Sequence, residues 1–515
     1  MSPTTPAYEA SGGESSAYIR GSALILTGKT ISQAVEFGLQ IFLIRYFSKS
    51  DFGAIAYALS IVFLLRAIAL FEMPIAVSRY LPAYIHRRRD DLVLGGIALS
   101  VGLVTVLGAL IAGGLAVFVG AFGLSPIEDD EAIRVLLVLA ALIPVDALDI
   151  LVTSLFATLV GARQIFIRQA LVGPFLRLTL AVAVVVSAAD VVEFAMGYVL
   201  TSAATLLVYG TMFVRTLRRD PTLARREEGM RRVYPSRDFL TFASPLLAST
   251  LVWLLLDSSD AVLIGFFHDI EEVAKFRAVV PLALATQGVM LAFTVLYAPT
   301  LARHVARSEE GAVTRLYWRS ALWVTLISFP IFLLTFSFAG TTTRLILGPE
   351  YQDAGPVLAI LALGYFVHLA LGFNGLTLRV LGKVRYSVAI DLGAAVFNVG
   401  VNLVLIPRWG ALGAAIGTSA TLVLHNFLKQ IGLWIYARIP PLAAGYRLPY
   451  ATVVAVAILL AAFAAVTSPS AWVAVAAAGT FGLAVLWANA DRLEIATTFP
   501  KVARLVPVRK AAPTP

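Results

Sequence analysis

Lys29, Gln33, Glu36 and Gln40 recur at i, i+4, i+7 and i+11 inside a stretch that is otherwise apolar. At about 100° per residue the four fall on one face of a helix, which gives a cation, a carboxylate and two amides in a single stripe. The same reasoning puts Asp146, Asp149 and Thr153 on one face of another stretch, Thr250, Trp253, Asp257 and Asp260 on a third, and Asp391, Asn398 and Asn402 on a fourth. Arg66 and Arg177 stand near the middle of two more apolar stretches, and His425 and Lys429 share a face of a further one. Groups of these kinds can hold an anion, hydrogen-bond a sugar, or take up a proton or a sodium ion. An ionised side chain at the centre of a lipid-embedded helix costs about 2.5–3.5 kcal/mol, so each needs a partner, water or a task. One reading pairs them with each other, Lys29 with Glu36 and the two arginines with aspartates opposite. The number of polar faces favours a hydrated cavity. Asp257 and Asp260 lie towards one end of their stretch, where a carboxylate can also reach the membrane interface.

The elements that position these residues are about fourteen apolar stretches, at 22–44, 52–78, 92–121, 132–160, 168–188, 191–214, 239–266, 273–300, 319–340, 355–378, 386–407, 410–436, 448–467 and 470–489. About 20 apolar residues match the ~30 Å hydrocarbon core of a bilayer. With 59% hydrophobic and 14% charged residues in a chain of 515, and a mean hydropathy of +0.85, a water-solvated globule is excluded. The fold class is therefore all-α and polytopic. Arginine crowds alternate gaps: Arg79 and Arg87 to Arg89, Arg163 and Arg168, the run from Arg215 to Arg237, Arg303 to Arg319, Arg379 to Arg385, and Arg438 with Arg447. The other gaps are poorer in cations, and one holds the acidic cluster Glu128, Asp129, Asp130, Glu131. The positive-inside rule makes the arginine-rich gaps cytoplasmic, and an even number of spans puts both termini there in a multi-pass cell-membrane protein. The net charge of +9 is thereby accounted for without a nucleic-acid partner. Residues 1–17 lack the pattern of a signal peptide and read as a disordered tail.

The longest basic gap divides the chain near its middle. The expected organisation is a cytoplasmic tail (1–20), a six-helix bundle (21–215), a basic cytoplasmic linker (216–237), a second six-helix bundle (238–437), two peripheral helices facing lipid (438–490) and a cytoplasmic tail (491–515). IRYFSKSDFGAIAYALSI from Ile44 aligns with IGFFHDIEEVAKFRAVVPLA from Ile264, and TLVGARQIFIRQALVGPF from Thr158 with LRVLGKVRYSVAIDLGAA from Leu378, matching Gly161 to Gly382. Two pseudo-symmetric bundles related as a parallel repeat follow from this order. Pro74, Pro144, Pro174, Pro245, Pro281 and Pro330 fall inside spans and predict kinks. Gly410, Gly413 and Gly417 read as a small-residue packing face.

No cysteine is present, so disulfides and thiolate chemistry are excluded, and the five histidines show no metal-ligand spacing. No phosphate-binding glycine loop occurs. An enzyme, a polytopic glycosyltransferase using a lipid-linked sugar, would have to draw on Asp51 or the 128–131 cluster, which reads more simply as a solvated loop. No catalytic residue, metal or cofactor is expected.

GKTISQAVEFGLQIFLIRYFSKSDFGAIAYALSI with EMPIAVSRYLPAY resembles the first two spans of the polysaccharide and oligosaccharide flippases in the multidrug/oligosaccharidyl-lipid/polysaccharide exporter superfamily. ILGPEYQDAGPVLAILALG and NVGVNLVLIPRWGALGAAIGT resemble that family's entry to span ten and its spans eleven and twelve, in the same order. The resemblance implies two six-helix bundles around a central cavity, a terminal helix pair outside, and outward movement of polyprenyl-linked oligosaccharides. It implies membrane lipids, a glycan polymerase and the glycosyltransferases of one pathway as partners. Under this reading Lys29, Arg66 and Arg177 hold the lipid phosphates, and Gln33, Trp253, Asn398 and Asn402 contact sugars. Glu36, Asp146, Asp149, Asp257, Asp260 and Asp391 are lumen carboxylates open to proton or sodium coupling. The first span lacks the arginines characteristic of lipid II flippases. A cation-coupled multidrug exporter of the same superfamily is the alternative, favoured by the carboxylates and opposed by Arg66 and Arg177.

Overall fold

The computed structural model describes residues 12–122, 130–219 and 233–494. Glu128, Asp129, most of the basic linker and the side chains of Trp253 and Asp257 lie outside the described residues. Each of the fourteen apolar stretches is mainly helical over its described residues, several with a short break, and no strand occurs among those residues. The chain forms two compact units, residues 1–258 and 259–515.

The N-terminal unit contains α1 (Gly12–Tyr46), α2 (Lys49–Leu70), α3 (Met73–His86), α4 (Asp90–Phe122), α5 (Asp130–Leu139), α6 (Leu142–Leu159), α7 (Ala162–Ile167), α8 (Gly173–Ser187), α9 (Val191–Arg219) and the first part of α10 (Ser236–Phe267). The start of α2 is written in its sequence: Ser48 Oγ accepts from Asp51 N (3.1 Å) while Asp51 accepts from Ser48 N (3.3 Å), a reciprocal cap. Phe71 and Glu72 break α2 from α3 with φ of 45° and 53°, just ahead of Pro74. The helix α6 is the hub, packing on α2, α3, α4 and α9. At Gly108 the α4 backbone comes so close that a Cβ would stand 2.8 Å from Pro144 Cα. Away from the hub, α4 and α8 expose Val117 (72%) and Val186 (82%), apolar surface that suits hydrocarbon.

Proline also shapes the site-bearing segment. Between α7 and α8 the residues Arg168–Val172 form a π-helical turn, with Gly173 N donating to Arg168 O, five residues back. Pro174 lacks the N–H that an α-helix would direct at Ala170, and the wider turn absorbs the missing bond.

The C-terminal unit holds the end of α10, α11 (Ile270–Leu284), α12 (Gln287–Ala306), α13 (Glu310–Phe332), α14 (Ala339–Ile346), α15 (Gly355–Ala370), α16 (Asn374–Val380), α17 (Val384–Ala437), α18 (Arg447–Thr467) and α19 (Ala471–Ala488). Its hub is α15, which packs on α11, α13 and α17. Aromatic rings fill the core: Phe332 stacks on Phe366 at 3.8 Å and Tyr297 on Phe373 at 4.3 Å. Pro281 coincides with a 41° bend between α11 and α12. Pro330 precedes a second π turn, Leu333–Ser337, whereas α10 continues through Pro245.

Gly410 corrects the packing-face reading. Its φ of 52° and ψ of −128° fold α17 back on itself, so that 384–409 and 411–437 are antiparallel limbs. Glu272 secures the apex by accepting from Ala411 N at 2.9 Å. Gly413 and Gly417 do serve close approach, since a Cβ on them would meet Leu405 O at 2.4 Å and Asn402 Oδ1 at 2.0 Å. The helices α18 and α19 expose Val466 (86%) and Trp472 (85%). They are also packed: α19 lies on α13, with Gly482 against Pro330, and α18 on the second π turn.

Ten helical segments among the described residues are long and apolar enough to cross a membrane, or eleven with the bent pair, fewer than the fourteen expected. The folded-back α17 enters that figure as one segment, and two further helices are not in it, α1 with its polar stripe and α10.

Candidate functional site

Inside the N-terminal unit, four helices and the π turn bring charge to one cavity of about 150 Å³, room for roughly five waters at ~30 Å³ each. Glu36 and Ser32 come from α1, Arg66 from α2, and Asp146 and Asp149 from α6. The π turn supplies Arg168 and Gln169, α8 supplies Arg177, and α9 supplies Thr201, Ser202 and Thr205.

Three arginines meet three carboxylates there. Arg177 Nη1 donates to Glu36 Oε1 at 2.6 Å, and Ser32 Oγ donates to the same oxygen at 3.1 Å. Arg66 Nη1 reaches Asp146 Oδ2 at 3.5 Å. Arg168 grips Asp149 with two bonds, Nε to Oδ1 at 3.0 Å and Nη2 to Oδ2. With one carboxylate per guanidinium the cluster is formally neutral, which is how such groups are tolerated inside an apolar bundle. Rings back the cations: Phe63 lies 4.7 Å from Arg66 Cζ, Tyr209 5.7 Å from Arg168 and Tyr198 5.9 Å from Arg177.

The cluster is not closed to solutes. Arg66 and Gln169 line the cavity, and their Nε and Oε1 atoms are buried without a hydrogen-bond partner among the described residues. The Glu36 side chain retains 49% of its exposure and Arg177 31%. A planar guanidinium that binds a carboxylate through paired N–H groups binds a phosphate the same way, so an incoming anion can replace a carboxylate on the same donors. The hydroxyls of α9 add neutral donors and acceptors.

The other residues singled out from the sequence are distributed differently. Lys29 and Gln33 are exposed on α1, do not line the cavity, and Lys29 is in no ion pair among the described residues. Asp260, Asn398 and Asn402, expected on a lumen wall, instead retain only 3%, 1% and 0% of their exposure. Asp260 accepts from Asn402 Nδ2 and Thr418 Oγ1, both at 2.6 Å, and Asn398 joins Asn402 (3.2 Å) and Thr421 (3.3 Å). The network ties α10 to both limbs of α17. Asp391 sits elsewhere in the C-terminal unit, accepting from His425 Nε2 and Lys429 Nζ at 2.7 Å each.

Arg168, which the sequence groups with a basic gap, also lines this cavity. Its signal was Pro174, six residues on, which announces an irregular turn without saying which way the preceding side chains rotate.

Paired charges thus surround a polar cavity within a multi-pass helical fold. This fold matches that of solved transporters. A lipid II flippase, MurJ, in an inward closed conformation aligns with a TM-score of 0.67 and 11% identity over 94% of this chain and 99% of that one. A multidrug resistance MATE family transporter of the MOP superfamily, facing inward, aligns with a TM-score of 0.61 and 13% identity over 81% and 97%. At such identities the likeness is one of fold. The chain belongs to the polysaccharide biosynthesis protein family, whose model matches residues 18–304. Among curated relatives, an uncharacterized membrane protein of Methanocaldococcus jannaschii is 25% identical over 227 residues, 43% of each chain. The teichuronic acid biosynthesis protein TuaB of Bacillus subtilis is 23% identical over 202 residues, 39% of this chain and 41% of that one. The chain thus aligns with less than half the length of these relatives.

Proposed function

We propose that this protein is a flippase that moves polyprenyl-(di)phosphate-linked oligosaccharide from the cytoplasmic to the outer leaflet of the cell membrane, for polysaccharide or glycoconjugate assembly. The observation that carries the reading is the cluster of three arginines around a polar cavity within apolar helices. A diphosphate head needs guanidinium donors at low dielectric, a glycan needs hydroxyl and amide walls, and a polyprenyl tail can stay in lipid. Transport proceeds by alternating access, the cavity opening first to the cytoplasm and then outward with no chemical change to the cargo. Arg66, Arg168 and Arg177 bind phosphate oxygens, and exposed Lys29 attracts the head electrostatically. Ser32, Thr201, Ser202 and Thr205 hydrogen-bond the first sugar or the phosphates, with Gln33 and Trp253 contributing further along the glycan. Asn398 and Asn402 serve the fold. Both termini are cytoplasmic under this reading, and glycosyltransferases and a polymerase of one pathway supply and consume the cargo.

An exporter of cationic drugs requires carboxylate in excess, whereas each carboxylate of this cavity is matched by an arginine. The test is a deletion strain complemented with wild type or with Arg66→Ala, Arg168→Ala or Arg177→Ala. Lipid-linked glycan accumulates on the cytoplasmic side in the deletion and in each variant at wild-type protein levels. Heightened sensitivity to cationic dyes with no accumulated glycan transfers the assignment to drug export.

A further inference from the structure

The C-terminal unit carries a second set of ionisable side chains, distant in chemistry from an anion site. His425 and Lys429 on the second limb of α17 both donate to one oxygen, Oδ1 of Asp391 on the first limb, at 2.7 Å. His425, Lys429 and Asn426 are buried, with 9%, 6% and 0% of their surface exposed. The His368 ring, on α15, lies 6.4 Å from that of His425.

The hydrogen bonds assign different roles to the two histidines. Asn374 Nδ2 donates to Asn426 Oδ1 at 3.1 Å, which fixes the orientation of the Asn426 amide. The Asn426 Nδ2 group then faces His368 Nδ1 at 2.8 Å and donates to it, so that nitrogen must carry a lone pair and His368 is held neutral. His425 is under no such constraint. Its Nε2–H is directed at Asp391, and its Nδ1 has no hydrogen-bond partner among the described residues. With His425 neutral, Asp391 and Lys429 cancel; one proton on Nδ1 leaves the cluster with a single positive charge.

The geometry points to His425 Nδ1 as a proton-binding site, taking up one proton per cycle while Asn374 and Asn426 keep His368 from taking a second. Asp391 and Lys429 are the charged groups in direct contact with one another at this ring. Arg379 on α16 adds positive charge from the neighbouring helix, its Nε bonded to Gly375 O at 3.2 Å. Tyr386, on the first limb, is turned away to Leu428 O. Glu272 and Lys275 on α11 meet α17 at its other end, beside Ala411. A proton held here is a mobile charge in the membrane field, which a potential of 100 mV biases. The coupling role rests on the transport reading above; the proton site does not.

The chain has five histidines, His86, His268, His304, His368 and His425, so ¹⁵N-histidine labelling of the purified full-length protein in nanodiscs gives a resolvable spectrum. His425→Gln and His368→Gln assign the two buried rings. Between pH 5 and 9 the His425 signal should titrate with a single proton while His368 stays neutral, and Asn374→Ala should release His368 to titrate. A silent His425, or two histidines titrating together in wild type, overturns the proton site. In cells, export rates at pH 6 and pH 8 should differ at least threefold in wild type and converge in His425→Gln; an unchanged pH ratio in that variant overturns the coupling role. Failure of the flippase reading shows separately, as absent glycan accumulation alongside an intact His425 titration.

Discussion

Exchanging Arg66 and Asp146 separates a cation that binds cargo from one that only neutralises a neighbour. The two side chains stand 3.5 Å apart and retain 27% and 22% of their exposure. At that distance and an effective dielectric of 20, unit charges attract by about 5 kcal/mol before desolvation. Exposure of about a quarter and the desolvation of both groups reduce the net value to roughly 1–2 kcal/mol. Arg66→Ala leaves Asp146 as the uncompensated charge and should destabilise the protein by about 2–3 kcal/mol. The double exchange, Arg66→Asp with Asp146→Arg, restores the pair and should recover stability to within about 1 kcal/mol of wild type, a coupling that a double-mutant cycle reads directly. Export should not recover, because the guanidinium now projects from α6 in place of α2 and the cradle shared with Arg168 and Arg177 is broken. Stability is followed by chemical unfolding of detergent-purified protein, and export by accumulation of lipid-linked glycan in a complemented deletion strain. Full export by the exchanged pair would refute the reasoning and reduce Arg66 to a counter-ion of Asp146.

Pro174→Ala gives Ala170 O a donor again and should convert the π turn to regular helix, turning Arg168 away from Asp149; export falls at least tenfold in the complementation assay while the melting temperature changes little. Asp260→Ala removes the acceptor of the buried Thr418 hydroxyl and one of the two acceptors of the Asn402 amide, and a loss of about 2–4 kcal/mol is expected in chemical unfolding. Gly410→Ala forces a side chain into a backbone at φ 52° and ψ −128°, with its Cβ 2.6 Å from Glu272 Oε2; about 2–3 kcal/mol of destabilisation should appear as a lower melting temperature.

The spans and their polar interruptions were legible because lipid enforces them: a helix that satisfies its own backbone crosses there only if it is long and apolar, and each charge among its residues stands out. Arg66, Arg177, Glu36, Asp146 and Asp149 could be singled out this way, and they share one cavity. Arg168 could not be placed with them. It precedes Arg177 by nine residues, which on a regular helix is about two and a half turns and the opposite face, and only the π turn changes that phase. Asn398, Asn402 and Asp260 read as a polar wall because periodicity finds a face without telling what covers it; the second limb of α17, folded over at Gly410, covers it with Thr418 and Thr421. The match between Gly161 and Gly382 has a physical counterpart, since both have positive φ (131° and 76°) just before a helix begins. Ser48 and Asp269 likewise cap α2 and α11 at equivalent places.

Equilibrium binding of a short-chain polyprenyl diphosphate to the purified protein bears most directly on the claim that the arginine cavity holds a lipid phosphate. Wild type should bind it, and Arg66→Gln, Arg168→Gln and Arg177→Gln should each weaken binding at least tenfold, about 1.4 kcal/mol or more, with the fold retained by circular dichroism. Equal affinity in all three variants, or tighter binding of a lipophilic cation than of the diphosphate, would contradict the account.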